Sequence, residues 1–381
     1  MSEATKDTRA EALVASYERA GYARVAPAIL QPAEPFLDLS GEDIRRRMYL
    51  VSDAAGGELC LRPDLTIPVA LDYLASPDAG RPAKFCYLGP IFRQREDGPA
   101  EFSQVGIETF GRGDTAAADA ETLALAVEAT ALYGLAKPTI RMGDLSLFST
   151  FIGALDLAPA WKRRLAKDFN RKTNFAHDLD RLVLVRPKGA PEYQGVLAAL
   201  ANSDPKGAHA LVTDLLSIAG ITAVGGRSVG EIADRFLEQS ALGAGSALPG
   251  ETRKLIERFL AISGDPDEAL VELRVLAADA KLDLGLALDL FESRAGFLAT
   301  HGIDLNAIAF STAYGRGLDY YTGMVFELHD PSGKVKGELV AGGRYDGLFA
   351  RLGSPTPVPA VGFAVWLDGL VALGGNPGGE R

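Results

Sequence analysis

Two short strand-like runs, Met324 to His329 and Glu338 to Ala341, are separated by Asp330-Pro331-Ser332-Gly333, and a glycine-rich motif borders each of them. The first motif is Arg316-Gly317-Leu318-Asp319-Tyr320-Tyr321-Thr322-Gly323. The second is Ala341-Gly342-Gly343-Arg344-Tyr345-Asp346-Gly347. Proline and glycine between two β-prone runs predict a hairpin, so both motifs stand at the ends of paired strands and face one pocket. An arginine, three tyrosines and two aspartates beside flexible glycines suit a small polar aromatic ligand. The guanidinium matches a carboxylate, and the phenols offer ring faces and hydrogen bonds. Taken alone, the same residues also read as two glycine-rich turns with structural tyrosines.

The chain is long enough, at 381 residues, to bury a sizeable core and to divide into two domains. Apolar residues make up 47% of it, yet no apolar run approaches the roughly 18 residues of a membrane span. Met1-Ser2-Glu3-Ala4-Thr5-Lys6-Asp7 lacks the apolar core of a secretory signal, so a cytoplasmic location is expected. Cys60 and Cys86 sit beside strand-like residues and read as buried thiols rather than a disulfide. The net charge of -11 argues against a nucleic-acid partner, because such affinity rests on phosphate neutralisation. The densest basic run, Lys162, Arg163, Arg164, Lys167, Arg171 and Lys172, has the spacing of a solvated helix face. His177, His209, His301 and His329 show no metal-ligand spacing, and no P-loop or GxSxG nucleophile occurs, so neither metal nor cofactor is expected.

Ala10, Leu13, Val14 and Tyr17 recur at helical spacing and predict an amphipathic first helix ending near Gly21. Strands are expected around Met48 to Asp53, Glu58 to Leu61 and Ala83 to Tyr87, with Arg62-Pro63-Asp64 as a break. A long helix runs from Asp114-Thr115 to Gly134, and Pro138 to Gly143 reads as another strand. From Leu145 to about Thr300 the pattern turns leucine- and alanine-rich, with helical segments at Val196 to Leu200, Leu211 to Ile218, Lys254 to Ile262 and Ala269 to Leu276. Strand periodicity returns at Ile308 to Tyr314. The expected class is α+β: an antiparallel sheet flanked by helices, built from 1–144 and 301–381, with a mostly helical insertion and connecting helices over 145–300.

Five motifs, in order along the chain, resemble those of histidyl-tRNA synthetases. They are Leu61-Arg62-Pro63-Asp64-Leu65-Thr66, Gly89-Pro90-Ile91-Phe92-Arg93 continuing through Phe102 to Gly111, the two glycine-rich motifs, and Pro359-Ala360-Val361-Gly362-Phe363-Ala364. The resemblance implies the class II synthetase fold, dimerisation through it, and a histidine pocket. Asp64 and Thr66 match the carboxylate and threonine that contact the α-amino group, with aspartate where the family usually has glutamate. Gln104 and Glu108 match the family's glutamine and glutamate, and their spacing puts both on one face of a strand. Arg316 matches the arginine on the substrate carboxylate, Arg93 the arginine near carboxylate and α-phosphate, and Tyr320, Tyr321 and Tyr345 fall around the imidazole.

The sequence departs from the synthetases on the nucleotide side. Arg95 replaces a glutamate that reads adenine, the loop Asp97-Gly98-Pro99-Ala100-Glu101 lacks the usual arginines, Gly369 stands where an arginine covers the triphosphate, and Trp366 replaces a small residue. Losing several ligands of a transferring phosphate removes adenylation. Only Gly374 to Arg381 follow the last motif helix, so no anticodon-binding domain and no tRNA partner are expected. This combination resembles the regulatory subunits of ATP phosphoribosyltransferase. That family is not itself catalytic: it associates with the short-form catalytic subunit in the first step of histidine biosynthesis and supports feedback inhibition by histidine. The alternative is a truncated synthetase-like enzyme that activates histidine or transfers an amino acid to an acceptor other than tRNA.

Overall fold

In the computed structural model, Ala10, Leu13, Val14 and Tyr17 form the buried stripe of the helix Thr8–Arg19. This is the face the 3.6-residue period predicts. The structure describes residues 7–169, 204–219 and 250–374, with isolated positions between 175 and 237, except Ser40, Ala55 and Asp97. The expected segment Val196 to Leu200, together with Arg171, Lys172, His177, Asp97 and residues 375–381, lies outside the described residues.

Twelve strands are described: β1 (Ala23–Arg24), β2 (Leu30–Pro32), β3 (Tyr49–Ser52), β4 (Glu58–Leu61), β5 (Ala83–Phe92), β6 (Glu101–Phe110), β7 (Thr139–Asp144), β8 (Ser263–Gly264), β9 (Ile308–Ser311), β10 (Met324–His329), β11 (Glu338–Arg344) and β12 (Ala360–Trp366). Nine of them form one sheet in the order β1-β5-β6-β12-β11-β10-β7-β9-β8, and β2-β4-β3 form a small second sheet. The expected hairpin is present, with Val325 opposite Gly343 and Leu328 opposite Val340. β7 pairs with β10 in register Met324 to Asp144, so strands before and after the long helical excursion meet in the sheet.

The large sheet is mixed rather than wholly antiparallel, because β1 joins β5 and β9 joins β7 in parallel. The connection from β7 to β9 runs through helices, and such a crossover returns the chain in its original direction. Two compact units are distinguished. Residues 1–150 with 258–381 hold the sheet, and residues 151–257 form the second unit. The helices Pro266–Ala280 and Gly285–Thr300 belong to the sheet unit; Arg294 of the latter is 1% exposed and donates to Asp119 at 2.8 Å and to Asp144 at 2.6 Å. In the second unit Ala208, Val212, Ala233 and Leu237 share a small core.

One buried core joins the sheet to the helix Thr66–Ala75. There Tyr73, Phe85, Phe110 and Phe349 meet ring to ring, with centroids 4.8 to 6.1 Å apart. Burying such a ring stabilises by about 1.5–3 kcal/mol, and this packing fixes the strand ends that carry the motifs. Cys60 and Cys86 are both buried free thiols. Among the described residues, no helix is long and apolar enough to cross a membrane.

Candidate functional site

Residues from β6, β10, β11, β12, the Leu61–Thr66 motif and the irregular segment 312–323 converge on a cavity of about 240 Å3. That is below the roughly 300–1,000 Å3 of ordinary ligand pockets, so it suits an occupant the size of an amino acid. Asp64, Thr66, Arg93, Gln104, Arg316, Tyr320, Tyr321 and Tyr345 all line it. Glu108, the ninth residue expected, lies behind the lining and is 1% exposed.

Glu108 organises that wall. Its carboxylate accepts from the Thr66 hydroxyl at 2.6 Å, the Tyr87 hydroxyl at 3.2 Å, and the Tyr345 hydroxyl. Burial pushes its carboxyl up to about 7, against the pull of the three hydroxyls toward the ionised form. Gly362, opposite Glu108 on β12, has no room for a side chain: an added Cβ would meet Glu108 Oε2. The glycine of the last motif is therefore the space in which the carboxylate sits.

Asp64 divides its carboxylate between two tasks. Oδ1 accepts from the Ile67 N–H at 3.1 Å, at the start of the helix Thr66–Ala75, and Oδ2 is buried without a hydrogen-bond partner. Gln104 Oε1 and Arg316 Nε are likewise buried and unpartnered. Native interiors rarely leave such atoms alone, and three of them belong to residues that line this one cavity. Burial raises the Asp64 carboxyl above its usual range.

The tyrosines form the aromatic side. The Tyr320 ring lies 4.9 Å from Tyr321 and 5.6 Å from Tyr345, and burial holds all three phenols neutral, Tyr321 at about 12. Arg316 Nη1 donates to Glu327 at 2.8 Å, while Glu327 also meets His329 Nε2 at 3.0 Å. Arg93 Nε donates to the Pro63 carbonyl at 2.6 Å. Arg47, Ile44, Glu327 and Glu338 line the cavity without having been foreseen. Glu327 and His329 carried a signal, since two polar residues at i, i+2 within an apolar strand share one face; Arg47 carried none.

On the side expected to have lost the nucleotide, the Arg95 guanidinium lies 3.5 Å from the Phe102 ring centroid, and Trp366 is among the residues lining the cavity. A Cβ at Gly369 would lie 2.9 Å from Leu339 Cδ2, so a side chain there requires the Leu339 side chain to shift. Among the described residues, no group of three His, Cys, Asp or Glu side chains could hold a metal ion.

The histidyl-tRNA synthetase family profile matches residues 2–224 and 207–370. An ATP phosphoribosyltransferase regulatory subunit of Brucella canis is 42% identical over 353 residues, covering 91% of this chain and 92% of its own. The regulatory subunit of Brucella melitensis matches to the same extent. The chain belongs to the ATP phosphoribosyltransferase regulatory-subunit family. That family is a branch of the histidyl-tRNA synthetase fold, and its members are regulatory subunits of an enzyme rather than catalysts. A solved structure described as an ATP phosphoribosyltransferase regulatory subunit/histidyl-tRNA synthetase, from Bacillus halodurans, superposes with a TM-score of 0.68 at 22% identity, over 98% of this chain and 79% of that one. A histidyl-tRNA synthetase from Nostoc sp. gives 0.61 at 18% identity, over 96% and 70%. At such identities these two structures carry the fold.

Proposed function

We propose that this regulatory subunit binds L-histidine in the cavity, forms a homodimer, and assembles in the cytoplasm with a short-form ATP phosphoribosyltransferase catalytic subunit. In that assembly it supports the first step of histidine biosynthesis and its feedback control, with no role for tRNA. One observation carries the reading: the three unpartnered buried atoms at the tyrosine-lined cavity match an amino-acid zwitterion. Asp64 Oδ2 and Gln104 Oε1 are acceptors for an ammonium, and Arg316 Nε is a donor for a carboxylate. Tyr320, Tyr321 and Tyr345 supply faces for a flat ring. Glu108 acts through Thr66 and Tyr345, whose hydroxyls it holds, so it shapes the pocket from behind. Feedback control requires that the assembly's two states bind histidine with different affinity, since equal affinity shifts nothing.

Calorimetric titration tests this reading with L-histidine and with histidinol, which has an alcohol in place of the carboxylate. Wild type is expected to bind histidine at least tenfold more tightly, because a hydrogen bond to a charged group contributes about 1.5–3 kcal/mol. Arg316→Met is expected to erase the preference. Equal binding of both ligands by wild type, or histidine-dependent exchange of pyrophosphate into ATP, would overturn the assignment.

A further inference from the structure

Two walls of the cavity are not sheet strands. One is the irregular segment 312–323, which contributes Arg316, Leu318, Tyr320 and Tyr321, and the other is the short helix Gly41–Arg47, which contributes Ile44 and Arg47. Neither belongs to a strand, and each is tied to its surroundings by few backbone bonds: the Thr312 and Thr322 N–H groups donate to the Ile262 and Arg344 carbonyls, and the Arg47 carbonyl accepts from the Gln94 N–H. The Arg351 guanidinium, outside the cavity, links the first segment to the helix that precedes the second. Arg351, the last residue of the helix Leu348–Arg351, donates from Nη1 to the Asp319 carbonyl at 3.0 Å and from Nη2 to the Asp38 carbonyl at 2.6 Å. Asp319 stands between Leu318 and Tyr320. Asp38 lies in the helix Glu34–Leu39, immediately before the helix that carries Ile44 and Arg47.

We propose that Arg351 is a positioning residue, a latch that ties the segment 312–323 to the helix Glu34–Leu39 beside the other wall and sets ligand affinity without touching the ligand. The planar fork of arginine can serve two carbonyls on separate segments at once, and both bonds are charge-assisted. A lysine keeps the charge but offers one ammonium centre, so it cannot reproduce the double bond geometry. The helix bearing Arg351 follows directly from Tyr345, so the latch is anchored in the motif that supplies the cavity's third tyrosine. Releasing it frees the Asp319 backbone, and with it the rings of Tyr320 and Tyr321, to sample positions in which they no longer enclose a ring.

The proposal rests on the histidine reading for its ligand, so its test has two readouts. Calorimetric titration with L-histidine is expected to give a Kd on the order of tenfold weaker for Arg351→Ala and for Arg351→Lys, with the loss mainly in faster dissociation. Hydrogen–deuterium exchange on the ligand-free proteins is expected to quicken in both 34–47 and 312–323 in the variants, with the β5–β6 ladder unchanged. Millimolar methylguanidinium is expected to restore part of the affinity of Arg351→Ala. Absence of histidine binding by wild type would sink the ligand assignment but leave the latch to be decided by exchange alone. Unchanged exchange in both segments, or equal Kd values for wild type and both variants, would overturn the latch.

Discussion

Replacing Glu108 by glutamine isolates the energetic consequence of burying a carboxyl behind the cavity. Burial takes this group from an ordinary glutamate value of 4.5 up to about 7. Between those two pH values the folded protein retains a proton that the unfolded chain has already released. Stability therefore falls as pH rises through the window, and it levels off above the folded value. At about 1.4 kcal/mol for each pH unit separating the two states, the loss amounts to roughly 3 kcal/mol. Glutamine cannot titrate, so Glu108→Gln should lack this component while keeping a side chain of the same size against Gly362. Asp64, Asp72 and Asp368, also raised by burial, shift stability in the same sense, and Asp7, Glu11, Asp114 and Glu121, held low by arginine or lysine partners, shift it in the opposite one. Because those groups are common to both proteins, their contributions cancel in the difference. The assay is urea denaturation of ligand-free wild type and variant at about pH 5 and about pH 8, with the free-energy change between the two conditions compared. Wild type should lose about 2–3 kcal/mol more than the variant on going to the higher pH. Equal changes in the two proteins would show that the three hydroxyls keep Glu108 ionised throughout, and would refute burial as the dominant influence.

Gly369→Arg, which restores the residue type expected over a triphosphate, should destabilise by about 1–3 kcal/mol, because its Cβ would press on Leu339 Cδ2 at 2.9 Å. It should gain no pyrophosphate exchange; a variant as stable as wild type would contradict the packing argument. Arg294→Met should cost about 3–5 kcal/mol in urea melts by leaving Asp144 and half of Asp119 buried without their cation, and a loss below about 1 kcal/mol would mean that Arg344 and solvent compensate.

Much of the site was legible because its chemistry is written in local motifs. The hairpin followed from a proline- and glycine-bearing turn between β-prone runs, and the i, i+4 placement of Gln104 and Glu108 put both on one buried face of β6. The pairing of Arg316 with Glu327 was not legible, because it joins a loop residue to a strand whose register only the folded sheet defines. The parallel pairings of β1 and β9 escaped for a related reason: strand direction depends on where the intervening helices pack, and a strand's sequence is compatible with either neighbour.

By itself the sequence determined the class of fold, the positions of most elements and the residue types that gather at the cavity, since periodicity, turn chemistry and motif spacing are properties of short stretches of chain. Tertiary structure decided which atoms remain available once those residues meet. It directed Glu108 to three hydroxyls rather than to the cavity, left Asp64 Oδ2, Gln104 Oε1 and Arg316 Nε unpartnered, and brought Arg351 to two carbonyls far apart in sequence. The physical reason is that hydrogen bonds are short and directional. Whether a given donor is spent on the fold or kept for a ligand depends on placements within a few tenths of an ångström, which arise only when distant segments pack.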